Sequence, residues 1–378
     1  MALLLGKKTK VLMAMRKEAK RRGLSWKAYL ESTNAEELIA LCQQIDPSID
    51  PAELIEGLPS DPPVDVAQWG LPPRHALRTD LISPVPVITT AVTAARAGDW
   101  RPAAHLLNRS YGDWALRAAA VHALAETVAD DRTWLEAWRA SGTGDDKHIA
   151  AVDAQGLLWL AWKLRGDNNN ENTTAQQYEA FVQLLPQAEA AAWKAAELAQ
   201  EDPTPWTTLV TLAMGLNFDN AKFGAVWREL LARDPLHRSG HEFAGQYWSN
   251  FGTDRMLGFA LQAAPASPSL AFLIVQAAAE GEDENENVWQ QAEVHRALDA
   301  MLHWLGTPQG GGGVDASADR RWAAYGLVNA GRGAEALPLF QQLGIDASGT
   351  PWHYWGDAAI ANFDRYRRRA CAATSARQ

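Results

Sequence analysis

Alanine-rich apolar runs of helical length, separated by short polar breaks, fill most of the chain and constrain its fold more than any other feature. The stretch DWALRAAAVHALAETVADDRTWLEAWRAS, residues 113–141, shows the plan: a long run, an Asp-Asp break and a second run. Regular alternation of apolar and polar residues, which marks strands, occurs only in short pieces, and alanine is a poor strand former. The sequence therefore predicts an all-α fold.

Proline content and charge divide the chain into four segments. Residues 1–60 predict a small, basic, helical N-terminal segment, and residues 61–83 predict a proline-rich linker that is largely non-helical. Residues 84–369 predict an array of helical hairpins, followed by a tail at residues 370–378. The 47% apolar and 21% charged residues allow a substantial core and exclude global disorder.

Two of the predicted hairpins share a turn pattern. When Gly98 is placed over Gly331, Ala103 falls on Ala336 and Ala-x-x-Leu follows in both. This pattern, in AARAGDWRPAAHLLN and GLVNAGRGAEALPLFQQLG, resembles the tetratricopeptide-repeat superfamily, whose second helix commonly opens with Gly-x-x-x-x-Ala. The resemblance implies an α-solenoid of antiparallel helix pairs. Because the spacing between the two is not a whole number of units of about 34 residues, we predict an irregular, degenerate array.

A second, narrower resemblance covers about residues 220–305. The stretches VWRELLARDPLHRSGHEFAGQYWSNFGTDRMLGFA and HRALDAMLHWLG resemble an uncharacterised bacterial domain of unknown function with tetratricopeptide-like helices. This resemblance implies the same kind of fold and implies no activity.

Cysteine usage and the start of the chain bear on the compartment. Only Cys42 and Cys371 occur, so a disulfide framework is not indicated and a reducing compartment is the default. The apolar start MALLLGKK is too short for the core of a signal peptide, and no stretch is long enough to span a bilayer. We expect a cytoplasmic protein without a transmembrane segment.

Charge is distributed unevenly along a chain whose net charge is −10. Residues 1–31 carry nine Lys or Arg against two Glu, and residues 364–378 carry five Arg against one Asp. Basic ends on an acidic body either solubilise the protein or reach an anionic partner. The second possibility gives one alternative function, a nucleic-acid-associated protein that acts through its basic termini.

The stretch RDPLHRSGHEFAGQYWSNFGT, residues 233–253, contains two histidines four positions apart. On one helix, His237 and His241 would form half of a zinc site, which gives the second alternative: an enzyme or metalloenzyme with its active site in a helical cleft. The sequence departs from His-Glu-x-x-His, because Gly245 stands where the second histidine belongs. The favoured interpretation is therefore a turn followed by the start of a helix, with no metal, cofactor or catalytic residue assigned.

Polar and glycine-rich stretches predict loops. The runs GDNNNEN at 166–172, EGEDENEN at 280–287 and GGGG at 310–313 lack the calcium-loop and phosphate-loop patterns. We expect flexible or solvated connectors at all three.

The main functional prediction is a non-catalytic adaptor or scaffold that binds a protein or peptide in a groove of the array. Helical arrays form extended concave surfaces, and large rings with a polar tip are enriched at binding hot spots. Two helices carry such residues, and the alternative for their rings is packing in the core. The predicted partner-binding residues are His241, Tyr247, Trp248, Trp352, His353 and Trp355.

Overall fold

The protein, in a computed structural model, is an all-α helical array. The structure describes residues 64–166, 174–282, 284–285, 287–354 and 359–376, with positions 15, 17–24, 29 and 40 near the N terminus. Over these residues there is no β-strand, and one isolated parallel bridge joins Arg78 to Asp346.

Eight helices make up the first half of the array. They are α1 (Pro86–Arg96), α2 (Arg101–Arg109), α3 (Trp114–Asp130), α4 (Thr133–Ala140), α5 (Asp146–Arg165), α6 (Ala175–Leu198), α7 (Thr204–Gly215) and α8 (Asn220–Arg233). The longest two, α5 and α6, pack along each other, and alanines such as Ala154, Ala188 and Ala192 are fully buried. Small side chains let the two backbones approach closely.

The second half begins at the stretch with the two histidines. Its helices are α9 (Arg238–Ser249), α10 (Thr253–Ala263), α11 (Phe272–Glu280), α12 (Ala292–Leu305), α13 (Pro308–Gly311), α14 (Ala316–Asn329), α15 (Gly333–Leu343) and α16 (Ala359–Ser375). Short 3-10 helices lie at Val66–Trp69, Arg74–Ala76, Ala264–Ala266, Pro268–Leu270 and Val288–Gln290. Consecutive helices pack against one another through most of the chain.

The two turns that carry the shared glycine pattern have the same backbone conformation. Gly98, between α1 and α2, has a φ of 86°, and Gly331, between α14 and α15, has a φ of 74°. These left-handed values favour glycine, because a Cβ strains the backbone there. The alanines that follow, Ala103 and Ala336, are both fully buried. The pattern thus predicted two helix–turn–helix units correctly.

Buried residues form three clusters along the chain. The first lies mainly in α1 to α5, the second spans α5 to α9, and the third runs from α10 to α16. The third cluster also includes Val66, Leu71 and Leu77, far away in sequence. The first and last parts of the described chain are therefore packed together.

Residues 64–77, which fall in the predicted linker, lie against the C-terminal helices. The Arg367 guanidinium donates to the Pro72 carbonyl at 2.6 Å, and that of Arg368 donates to the Val64 carbonyl at 2.9 Å. The side-chain amide of Gln341 donates to the Trp69 carbonyl at 2.8 Å. These bonds satisfy backbone carbonyls that have no helical partner.

Only scattered positions of the predicted basic N-terminal segment are described. Met15 and Tyr29 are 4% and 1% exposed, and Gly23 has a φ of 69°. The Arg22 guanidinium lies over the Tyr29 ring at 5.6 Å. The rest of residues 1–63 lies outside the described residues.

Candidate functional site

The turn between α8 and α9 is built by two side chains that cap it. The Asp234 carboxylate accepts a hydrogen bond from the Leu236 amide at 3.2 Å, which starts the turn. His237 is the N-cap of α9, and its Nδ1 accepts from the Gly240 amide at 3.1 Å. An Nδ1 that accepts leaves the hydrogen of the neutral ring on Nε2. Burial lowers the pKa of His237 to about 4, so the ring is neutral at pH 7.

His241 lies one turn further along α9 and contributes to the packing. Its Nδ1 lies 2.9 Å from the His237 carbonyl oxygen, to which it donates. The ring meets the Trp227 ring edge-on, with centroids 4.9 Å apart. Burial also lowers the pKa of His241. His237 Nδ1 therefore caps the start of α9, and His241 Nδ1 bonds to the backbone while its ring packs against Trp227. The two Nδ1 atoms do not converge on one point.

Arg238, the first residue of α9, joins this helix to α14. Its guanidinium donates to the Asp319 carboxylate at 2.7 Å and to Glu242 at 3.2 Å. It also lies over the Phe272 ring, 3.8 Å from the centroid. The side chains of Arg238 and Asp319 are 10% and 3% exposed. An unpaired charge would destabilise the fold at such a buried position. The ion pair therefore holds α9 and α14 in a fixed position relative to each other.

A cavity of about 200 Å³ lies beside this ion pair, where four parts of the chain meet. We call it the junction cavity. Its walls come from the start of α3, the α8–α9 turn, the 3-10 helix Pro268–Leu270 and the segment from the end of α12 to α14. The residues used below are Ala115, Ala118, Asp234, His237, Arg238, Trp304, Gly310, Asp315 and Asp319.

Two of the four glycines at 310–313, Gly310 and Gly313, line this wall. Gly310 and Gly311 belong to the short helix α13. A Cβ on Gly310 would lie 2.1 Å from the Trp304 carbonyl oxygen, and one on Gly311 would lie 2.4 Å from that of Leu305. The run predicted as a flexible connector is instead closely packed, because only glycine lets this backbone approach the end of α12.

Asp315, which lines the cavity, interacts electrostatically with Arg238 but forms no hydrogen bond with a described side chain. It is the N-cap of α14, but its side chain makes no capping hydrogen bond. Burial is the largest cause that raises its pKa to about 6; Arg238 opposes the shift, and Asp319 and Glu242 add to it. A cation that entered the cavity would therefore stabilise the charged form of Asp315 and lower its pKa.

His237, in contrast, carries a hydrogen-bond donor, the N–H at Nε2. The residue is 2% exposed, and its Nε2 has no hydrogen-bond partner among the residues that the structure describes. A buried N–H without an acceptor costs about 1–3 kcal/mol. His237 lines the cavity, but its unsatisfied Nε2 is itself inaccessible to solvent.

A second buried ion pair fixes the start of α3 behind the cavity. Arg117 pairs with Asp202, which precedes α7, and both side chains are 0% exposed. Arg117 also lies 3.1 Å from Nδ1 of His148 and donates to the Leu107 carbonyl at 3.3 Å. Burial and then the Arg117 charge lower the pKa of His148 to about 4. These contacts tie α2, α3 and α5 to the loop before α7.

The predicted partner-binding residues of α9 lie inside the array. Tyr247 is 2% exposed, stacks on Phe223 at 3.8 Å and donates to the Phe218 carbonyl at 3.0 Å. Trp248 is partly buried and meets the Phe223 ring edge-on. His241 is 4% exposed. These three side chains help to bury the second core cluster or lie beside it.

The second predicted group is divided between core and surface. Trp352 is fully buried, with the rings of Tyr366 and Phe363 5.2 and 5.3 Å away. His353 is exposed, and its ring lies 4.6 Å from that of Tyr354. Trp355 lies outside the described residues. The five described residues therefore lie partly in two different core clusters and partly at the surface, and a partner-binding role for the six stays a prediction.

The charged residues of the junction cavity were not predicted as a site. Arg238 lies within the stretch that contains the two histidines, but Asp315 and Asp319 follow it by about 80 positions. The only signal in the sequence was two aspartates at the start of a helix, which is also the usual signal of an exposed first turn.

Where the chain is described, no group of three or more His, Cys, Asp or Glu side chains could hold a metal ion. Within the same ranges, the helices are all too short or too polar to cross a membrane.

Comparison with known proteins adds no family. No family model matches the chain, and none of the curated proteins is significantly similar to it. The likeness to tetratricopeptide repeats therefore rests on the two turn patterns at Gly98 and Gly331.

Proposed function

We propose that this protein is a non-catalytic binding protein whose helical array holds a protein or peptide partner, with one group of that partner seated in the junction cavity. The observation that carries the proposal is the convergence of α3, the α8–α9 turn and the α12–α14 segment around a preformed space with charged walls. Such a space needs little reorganisation on binding, which favours affinity.

The size of the cavity supports a partner group rather than a whole cofactor. Sites for small molecules usually measure about 300–1,000 Å³. The junction cavity, at about 200 Å³, suits a single side chain or a chain end. The helices around it supply the larger surface that a macromolecular partner needs.

We also propose that the protein is cytoplasmic and that its array binds a partner in the manner of tetratricopeptide repeats. The support for the location is the low cysteine content, and the support for the array is the pair of matching turns at Gly98 and Gly331.

The test is affinity capture from extracts of the source cells with three forms of the protein. Ala115 is exposed and lines the cavity, so Ala115→Trp should obstruct its mouth with little effect on folding. Ala190→Trp, on the exposed face of α6, is the matched control. We expect partners identified by mass spectrometry to be captured by the wild type and the control, and lost with Ala115→Trp. Equal capture by all three forms would contradict the proposal.

A further inference from the structure

We propose that residues 64–78 form a releasable strap that occupies a peptide-binding surface at the C-terminal end of the array. This strap surface consists of α15, α16 and residues 345–347. The partner that fits it is an extended peptide with prolines between apolar anchor residues, which binds when the strap leaves. The inference goes beyond the proposed function, since none of the residues that line the junction cavity belongs to the strap surface.

The strap lies on the helices as a single layer with one buried side. Its anchors Val66, Leu71 and Leu77 are five and six positions apart, are 6%, 3% and 3% exposed, and belong to the third core cluster. Gln68 and Pro73, between the anchors, are exposed. A buried side with spaced apolar anchors and an opposite side in solvent is the arrangement of a peptide bound in a groove.

The strap surface holds the backbone of the strap through donors that α16 itself positions. Arg368, Gln341 and Arg367 donate to three strap carbonyls at 2.9, 2.8 and 2.6 Å. The Asp364 carboxylate accepts from Nε of Arg367 at 2.7 Å and from Nε of Arg368 at 2.9 Å. Because these two bonds lie within α16, they do not depend on the strap. Donors that are oriented in advance favour the binding of another chain.

Residues 345–347 specify an extended chain. The Arg78 amide donates to the Ile345 carbonyl at 2.8 Å, and the Ala347 amide donates to the Arg78 carbonyl at 2.9 Å. Ala347 is fully buried, so its amide needs an acceptor when the strap is absent. A peptide that adds to this edge as a strand supplies both a donor and an acceptor. A partner helix, whose backbone groups are already paired, supplies neither.

The prolines of the strap define the partner further. Pro73 has φ and ψ of −66° and 154°, and Leu77 has −67° and 142°, which are polyproline II values. A proline fixes φ before binding, so the chain loses less conformational freedom when it docks. An extended peptide with prolines between its apolar anchors therefore has the chemistry that this surface already holds.

The strap should compete with such a partner. A tethered segment acts at an effective concentration on the order of millimolar, so it keeps the surface closed to weak ligands. The apparent affinity of a free peptide falls with the fraction of molecules whose surface is open. A substitution that weakens the strap and leaves the strap surface intact should therefore tighten binding of a free peptide.

The first experiment measures binding of a fluorescent synthetic peptide of residues 64–80 to the full chain by anisotropy. Leu71→Ser in the protein removes one anchor of the strap, while the peptide keeps its own leucine. We expect this variant to bind the peptide at least tenfold more tightly than the wild type. His75→Gln, an exposed position of the strap, is the control and should bind it as the wild type does.

A second pair of variants tests the strap surface. Gln341→Ala, combined with Leu71→Ser, removes an exposed side chain that donates to the strap backbone, so the peptide should bind at least threefold more weakly than to Leu71→Ser alone. Gln342→Ala in the same background is the matched control, because the Gln342 side chain accepts from Arg320 instead. It should leave peptide binding unchanged.

Hydrogen exchange of the wild type tests release of the strap without any substitution. The amides of Arg78 and Ala347 bond across the strap and its surface. We expect both to exchange at least a hundredfold faster than the amides at the centre of α16, because local release exposes them before the array unfolds. This measurement decides alone if Leu71→Ser does not fold.

Three results would each overturn the inference: equal peptide affinity of the wild type and Leu71→Ser, equal affinity of the Gln341→Ala and Gln342→Ala forms, or exchange at Arg78 and Ala347 as slow as in α16. A wild-type dimer that the peptide splits into monomers would identify the occupant as the strap of a second copy and overturn the assignment to a different partner. Ala115→Trp should leave peptide binding unchanged, so the outcome of its capture experiment is independent of these results.

Discussion

Arg238 and Asp319, 81 positions apart, form an ion pair at 2.7 Å that holds the first turn of α9 against the first turn of α14. Both side chains are almost fully buried. Because this pair lies beside the junction cavity, the shape of the cavity depends on a contact between two distant parts of the chain.

Breaking this ion pair should substantially lower the free energy of unfolding. Asp319→Asn removes the carboxylate that binds Arg238 most closely and leaves the buried Arg238 charge with one hydrogen-bonded carboxylate, Glu242, and with Asp315 nearby, so we expect a loss of about 3 kcal/mol in the free energy of unfolding. Asp99→Asn, which breaks the exposed pair with Arg101, is the control and should cost at most about 1 kcal/mol. Urea titrations of the three proteins measure the difference. Similar small losses in both variants would show that the buried pair does not hold the helices together.

The packed glycine run gives a second prediction. Gly310→Ala places a methyl group against the Trp304 carbonyl, so the backbone must move; we expect a loss of about 1–3 kcal/mol, at the upper end of that range. Gly331→Ala meets no atom within 4 Å and should cost about 1–2 kcal/mol from its φ of 74° alone. Thermal unfolding compares them. If Gly310→Ala proves neutral, residues 310–313 are the flexible connector that their composition suggests.

The helical hairpins could be predicted because their signals are local. Gly98 and Gly331 lie in turns with a left-handed backbone, and each is followed by a buried alanine five positions later. Such features depend on neighbours within a few residues, which the sequence shows directly.

The junction cavity could not be predicted, because it depends on contacts between distant segments. Nothing near Arg238 in the sequence indicates Asp319, and nothing near Trp69 indicates Gln341, although the structure joins both pairs. Proline content predicted a largely non-helical linker at residues 61–83, but it did not indicate that backbone carbonyls of this segment accept hydrogen bonds from the arginines of α16.

Trp352 and His353, both predicted to bind a partner, are adjacent in sequence but differ in burial. Substituting each of them in turn therefore distinguishes a role in core packing from contact with a partner. Trp352→Ala removes a ring that four other aromatic side chains surround, and should cost about 3–5 kcal/mol. His353→Ala changes an exposed side chain and should stay within about 0.5 kcal/mol. Melting temperatures and partner capture are measured together. A loss of capture with His353→Ala at unchanged stability would support its predicted partner-binding role.

His148 should make folding sensitive to acid. Its pKa is about 4 in the folded protein and 6.5 ordinarily, so the unfolded chain binds the proton more readily. The stability that the neutral ring contributes is complete above pH 6.5 and is lost as the pH falls towards 4. Between pH 7 and pH 5 the wild type should lose about 2 kcal/mol that His148→Gln does not lose. Parallel pH dependence of the two proteins would contradict this.

Asp315 should have the opposite effect on stability. Its pKa rises from 3.8 to about 6 on folding, so the folded state holds the proton more tightly, and stability falls as the pH rises through this range. Asp315→Asn removes the cost of burying the charge and gives up no hydrogen bond known in the described structure. The variant should match the wild type near pH 3.5 and exceed it by up to about 3 kcal/mol at pH 7. Urea titrations at several pH values measure the gap. A gap that stays constant across pH 4–7 would mean that the Asp315 carboxylate is not buried in the cavity wall as the structure places it.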